Sequence, residues 1–147
     1  MRSLWSRVTK LDFICRFSKA LLKLGLKQHD VCSMIGFNSP EYFFSLQGTW
    51  MAGCVPAGIY TTNSPEACQY VLEHAEAKVC VCQSGKSAMK ILSIRELLPN
   101  LKAIVIYWPE DELPTIPEDD KVRLHSGDEN HELVCQGVSL GRFPSNR

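Results

Sequence analysis

Between Lys10 and Trp108 the apolar residues fall into two alternating patterns, and the alternation predicts the architecture. Leu11, Ile14, Phe17, Leu21 and Leu22 recur at helical spacing while Lys10, Arg16, Lys19 and Lys23 mostly face elsewhere, which predicts a helix over 10–24. Gly25 supplies its stop. Residues 31–37 are almost continuously apolar, as a strand covered on both faces should be. Pro40 opens a second helix, with Phe43, Leu46, Gln47 and Trp50 along one side, ending near Gly53. Residues 55–60 form the next strand; Pro56 lacks a ladder donor and so belongs at a strand start or on a sheet edge. Pro65 opens a third helix through Ala67, Val71 and Ala75, with Cys68 and Leu72 beside them. A short buried strand follows over 79–82, a fourth helix over 84–98 stopped by Pro99, and a last strand over 101–108. Strands alternating with helices require parallel pairing and right-handed crossovers. The expected fold class is therefore α/β, a layered and mostly parallel sheet with flanking helices.

The tetrapeptide Asn-Ser-Pro-Glu occurs twice, at 38–41 and 63–66, each time after an apolar run and before a helical pattern. One unit, strand then capped helix, is laid down twice in succession. In each copy the serine, Ser39 or Ser64, is the expected N-cap, its hydroxyl accepting from a free N–H of the first turn. Pro40 or Pro65 is then the first helical residue, where a missing N–H costs nothing. Glu41 or Glu66 places negative charge in the first turn, which the helix dipole favours.

A chain of 147 residues has the length of one domain, and 45% hydrophobic with 22% charged residues is ordinary for a globular protein, which argues against wholesale disorder. The zero net charge is unevenly spread: residues 1–108 hold 12 Lys/Arg against 7 Asp/Glu, and residues 109–147 hold 4 against 9. Neither balance argues for nucleic acid, and no basic cluster is interleaved with aromatics. Residues 109–120 carry three prolines and six acids, and no apolar period appears after them. The expected organisation is a body over 8–108 and an acidic, Pro-rich linker with a poorly ordered tail over 109–147. Residues 1–27, with seven Lys/Arg and one acid, resemble a mitochondrial presequence, but the helix runs into a strand through Gly25 with no cleavable linker. No apolar run approaches the roughly 18–20 residues of a membrane span. The chain is expected in the cytoplasm.

Seven cysteines make an odd number without a Cys-x-x-Cys pair, and most sit inside apolar runs, which suits a reducing compartment. His29, His74, His125 and His131 stand in no ligand spacing to them, so no metal site is expected. Ser84-Gly85-Lys86-Ser87 matches the end of a phosphate-binding loop, yet the position five before Gly85 is Cys80, where the pattern needs glycine. A helix cap by Ser84 explains it better. Tyr60-Thr61-Thr62-Asn63-Ser64 is a hydroxyl-rich loop at a strand end, where α/β folds place ligands, though a plain turn is the simpler reading. His74 reads as part of a solvated helix face. No Ser/His/Asp set or paired buried carboxylates can be assembled, and no catalytic, cofactor-binding or metal residue is assigned.

The stretch Gly36-Phe-Asn-Ser-Pro-Glu-Tyr-Phe-Phe44, followed by Met51-Ala-Gly-Cys-Val-Pro-Ala-Gly-Ile-Tyr-Thr-Thr-Asn-Ser-Pro-Glu-Ala-Cys-Gln-Tyr-Val71, closely resembles long-chain fatty acyl-CoA synthetases of the bubblegum type, in the adenylate-forming superfamily. The likeness continues through Leu98-Pro-Asn-Leu-Lys-Ala-Ile-Val-Ile-Tyr107 and back through Leu24-Gly-Leu26 and Cys15-Arg16, covering about residues 8–108. The resemblance implies a ligase that adenylates a long-chain fatty acid with ATP and Mg2+ and passes the acyl group to coenzyme A. It implies part of the large N-terminal domain of such an enzyme, whose parent could sit peripherally at the endoplasmic reticulum membrane. The family's Thr-Ser-Gly-Thr-Thr-Gly-like phosphate loop does not occur in these 147 residues, and none of the family's functional residues carries over to a position here. A fragment inactive alone is the expectation; the alternative is a non-catalytic interaction fragment docking on a full-length synthetase.

Overall fold

The computed structural model describes the backbone of residues 7–108, 123–127, 132–135 and 138–142, and the side chains of residues 10–107. The elements run α1 (Arg7–Lys23), β1 (Val31–Ile35), α2 (Pro40–Met51), β2 (Val55–Ile59), α3 (Pro65–His74), β3 (Val79–Ser84), α4 (Gly85–Leu92), a 3-10 turn (Arg95–Leu97) and β4 (Ala103–Trp108). The sheet order is β2-β1-β3-β4, and every pairing among these four strands is parallel. The alternating strand–helix pattern is thus realised as an α/β layered sheet.

The strands β1, β3 and β4 feed both layers because successive side chains point to opposite faces. Cys32 and Met34 of β1, Val79 and Val81 of β3, and Ala103, Val105 and Tyr107 of β4 pack with Phe17, Ala20 and Leu21 of α1. The other parity, Ile35, Cys80, Cys82, Ile104 and Ile106, packs with Cys68 and Leu72 of α3 and Ala88 and Ile91 of α4. The chain passes from β1 out to β2 with α2 on the first face, then back past β1 to β3 and on to β4 with α3 and α4 on the second, the arrangement that one uniform crossover hand requires.

Three serine caps set the helix starts. Ser39 accepts from Tyr42 N at 3.1 Å, Ser64 from Ala67 N at 3.3 Å, and Ser84 from Ser87 N at 3.4 Å. Three helices end alike, with a left-handed residue followed by an N–H that bonds five residues back: Leu26 to Leu21 O, Cys54 to Thr49 O and Ala77 to Leu72 O. Gly25 and Gly53 hold the left-handed position after α1 and α2, whereas Glu76, at φ 49°, holds it after α3.

Three expectations are corrected. The helix expected over 84–98 stops at Leu92 and tightens into the 3-10 turn, so that Ile94 and Leu98 both stay buried across the change of pitch. In α2 the buried side is Glu41, Phe44, Ser45, Gly48 and Thr49, while Phe43 and Trp50 face outward at 51% and 56% exposure. The small residues are inside because α1 crosses there: a Cβ on Gly48 would lie 2.9 Å from the Ile14 carbonyl oxygen. Beyond Trp108, where no regular element was expected, β5 (Arg123–Gly127) pairs parallel with β4, and β6 (Glu132–Cys135) and β7 (Val138–Arg142) extend the sheet antiparallel. Backbone ladders recruit such strands without an apolar period in the sequence. The expected linker over 109–120 lies outside the described residues.

Candidate functional site

In an open parallel sheet, ligands gather at the carboxyl edge where the strand order reverses. Here that point lies between β1 and β3, since the chain leaves β1 toward β2 and returns to β3 on the other side. Gly36 closes β1 and Gln83 stands near the end of β3. The Phe37 N–H donates to Gln83 Oε1 at 2.8 Å, which ties the two strand ends together. From β4, Tyr107 reaches across β3 so far that a Cβ on Gly36 would collide with its hydroxyl and stand 3.2 Å from Gln83 Cβ. Glycine at 36 is therefore a close-approach residue.

The crevice is polar beneath its rim. Burial pushes the Tyr107 phenol up to about 12, against the opposing effect of a hydrogen bond with Ser39, and Glu41, Tyr42 and Cys82 are its titratable neighbours. Glu41 is only 3% exposed, and among the described residues its Oε2 has no hydrogen-bond partner. Phe37, whose N–H bonds Gln83, is 66% exposed. A triphosphate does not fit these residues, because the Tyr107 phenol stands against Gly36 where the backbone would have to cradle it. Residue order along the chain hides this cluster, because it joins Gly36, Glu41, Gln83 and Tyr107 across three strands. The one local signal was Asn-Ser-Pro-Glu, which places Glu41 in a first turn but does not say what covers it.

Among the residues singled out by sequence, Ser84 does cap α4, and Lys86 is exposed. The loop around Thr61 and Thr62 is pinned from α4: Lys90 Nζ donates to Thr61 O at 2.9 Å and Asn63 O at 2.7 Å. Lys90 carried no sequence signal, being one basic residue on an amphipathic helix. His74 lies on an exposed helix face, stacked on Tyr70 with centroids 5.7 Å apart. Ser84 follows Gln83 of the crevice directly in β3, and the Thr61–Asn63 loop is joined to α4 through Lys90.

The described cysteines are all free thiols. Cys80 and Cys82 lie buried with their sulfurs 3.9 Å apart, and the neighbouring thiol together with burial pushes Cys80 up; burial does the same to Cys32. Such thiols stay protonated and act as small core residues. Among the described residues no group of three or more His, Cys, Asp or Glu could hold a metal ion, and no helix is long and apolar enough to cross a membrane.

Known proteins agree with this geometry at two levels. The chain is 46% identical over 106 residues to long-chain-fatty-acid–CoA ligase ACSBG1 of Rattus norvegicus, covering 70% of this chain and 15% of that protein. It is 53% identical over 92 residues to the Homo sapiens ACSBG1, covering 63% of this chain and 13% of that protein. The chain thus spans only a small part of the length of these relatives. In fold it is similar to the anthranilate CoA ligase AuaEII in complex with anthranoyl-AMP, with TM-score 0.65 and 21% identity over 82% of this chain and 26% of that one. It is likewise similar to a Mycobacterium tuberculosis fatty acyl CoA synthetase, with TM-score 0.63 and 17% identity over 80% of this chain and 26% of that one. The family model of AMP-binding enzymes matches residues 11–135, from α1 through the whole parallel sheet into β6, and the chain belongs to that family.

Proposed function

We propose that this chain is part of a long-chain-fatty-acid–CoA ligase, and that alone it does not activate fatty acids. The complete ligase would take a long-chain fatty acid, ATP with Mg2+, and coenzyme A, forming an acyl-adenylate before the thioester. The observation that carries this reading is the 46% identity to a long-chain-fatty-acid–CoA ligase across 106 residues. Phosphoryl and adenylyl transfer need preorganised donors and a metal around the triphosphate, commonly the largest catalytic contribution. The crevice at the β1–β3 reversal offers Tyr107 and Glu41 in their place, so no step through ATP is derived from these residues. A cytoplasmic location belongs to the same proposal.

The test is an exchange. The homologous segment of the Rattus norvegicus ligase is replaced by residues 8–108 of this chain, and palmitoyl-CoA formation is followed with palmitate, ATP, Mg2+ and coenzyme A. Retained ligase activity supports the assignment; a folded but inactive chimera refutes it. The 147-residue chain alone should release no pyrophosphate from ATP with palmitate, and acyl-adenylate formed by contaminant-free material would overturn the second half of the proposal. Co-purification of the chain with the full-length ligase would favour the interaction-fragment alternative.

A further inference from the structure

The turn that follows β2 is held to the neighbouring helix by a single ammonium group. Tyr60, Thr61, Thr62 and Asn63 lie between Ile59, which pairs with Ile35 of β1, and Ser64, the cap of α3. β2 stands at the edge of the sheet, and Tyr60 is 81% exposed. Inside the turn the Asn63 N–H donates to Tyr60 O at 3.1 Å, and from α3 the Cys68 thiol leans on Asn63 O at 3.9 Å. The tie to α4 is Lys90, whose Nζ reaches Thr61 O at 2.9 Å and Asn63 O at 2.7 Å.

Two carbonyl oxygens converge on this cation because an ammonium carries several donors on one atom. Hydrogen bonds from an ionised donor are about twice as strong as neutral ones, so the hold on the turn depends on the charge. Acylation removes that charge. The deprotonated Nζ attacks the carbonyl carbon of an acyl thioester; the C–N bond forms as the C–S bond breaks, and the departing thiolate takes up the proton that the nitrogen loses. The resulting amide is neutral, keeps one N–H and adds an acceptor beside two acceptors, so it cannot serve both carbonyls. Lys90 has to let go of Thr61 O and Asn63 O before its nitrogen can react, and the modified chain is therefore kept in the released form. Lys86, one turn earlier on the same helix, is exposed and provides an internal comparison.

We propose that Lys90 is a charge-operated latch on the Tyr60–Asn63 turn, and that Nε-acylation at this lysine, but not at Lys86, frees the turn while leaving the sheet intact. The proposal is independent of the ligase reading.

The test uses the 147-residue chain with Nε-acetyl-lysine installed at position 90 or at position 86, and follows amide hydrogen exchange by NMR. Acetylation at 90 should speed exchange of the Asn63 amide about tenfold, and Lys90→Gln should act alike. Lys90→Arg, which keeps the charge and several donors, should stay within about threefold of the unsubstituted chain. Acetylation at 86 should leave Asn63 unchanged. Val81, in the central strand β3, reports on the fold as a whole and should exchange as before. Unchanged exchange at Asn63 with acetyl-lysine at 90, or an equal effect from position 86, overturns the proposal. So does acceleration at Val81 that matches Asn63, since Lys90 would then support the whole fold and latch nothing.

Discussion

Gly48 decides how closely α1 and α2 approach, and replacing it sets two effects of known size against each other. In a helix interior, alanine is favoured over glycine by about 1 kcal/mol. Here, however, the new Cβ would stand 2.8 Å from Phe17 Cδ1, 2.9 Å from the Ile14 carbonyl oxygen and 3.1 Å from Phe17 Cβ. Ordinary carbon contacts lie at about 3.5–4.0 Å, so α1 must retreat by several tenths of an ångström. The Phe17 ring can tilt, but the Ile14 carbonyl is part of the α1 backbone and cannot. Overpacking of this kind costs about 1–3 kcal/mol. Its midpoint exceeds the propensity gain, and Gly48→Ala should destabilise the chain by about 1 kcal/mol. Urea unfolding followed by far-UV circular dichroism measures it directly. In a Phe17→Leu background the penalty should shrink without vanishing, because the carbonyl contact remains. A raised urea midpoint for Gly48→Ala, the result of helix propensity acting alone, would refute the close approach of the two helices.

Burial raises the Tyr107 phenol to about 12, above the value near 10 of an unfolded chain. A raised group contributes stability that is complete below about pH 10 and lost as pH climbs through about 12. Relative to Tyr107→Phe, the unsubstituted chain should therefore lose stability across that window, and parallel alkaline curves would count against a buried phenol. Glu76 occupies a left-handed position that α1 and α2 give to glycine, so Glu76→Gly should stabilise by about 0.5–1 kcal/mol in urea melts; a loss would mean that the side chain itself holds the turn. Val55 N–H donates to Asp30 O at 3.0 Å, which turns residues 55, 57 and 59 toward β1 and leaves 56 and 58 facing the open edge. Pro56 thus puts its missing donor where another chain would pair. Pro56→Val should raise the weight-average mass in sedimentation at a given concentration, and an unchanged mass would show that the edge is guarded by something else.

What was legible in the sequence was local. Ser39, Ser64 and Ser84 could be named as caps because a cap needs only its own first turn, and Pro56 could be placed at an edge because its lost donor is a property of one residue. The facing of α2 was not legible. Phe43 and Trp50 make the more apolar side, and burial of Ser45, Gly48 and Thr49 follows only from the crossing of α1, which brings Phe17 and the Ile14 carbonyl against Gly48. The strands β5 to β7 were invisible for a similar reason, since pairing with an existing edge supplies by backbone hydrogen bonds what their side-chain pattern lacks.

The two copies of Asn-Ser-Pro-Glu show where local reasoning ends. Both serines cap, both prolines open a helix, and both glutamates lie in a first turn. Yet Glu66 is exposed, its carboxyl held below the usual range chiefly by a hydrogen bond with Ser64, whereas Glu41 is buried near Tyr107 with one oxygen unpartnered among the described residues. The difference comes from strand order. The second copy leaves β2 at the edge of the sheet, where water covers its first turn. The first leaves β1 at the reversal point, where Tyr107 arrives from two strands away and closes over it. Identical tetrapeptides therefore encode the same helix start and opposite degrees of burial for the glutamate. Any chemistry assigned to Glu41 has to be argued from β4, a strand that begins 62 residues after it.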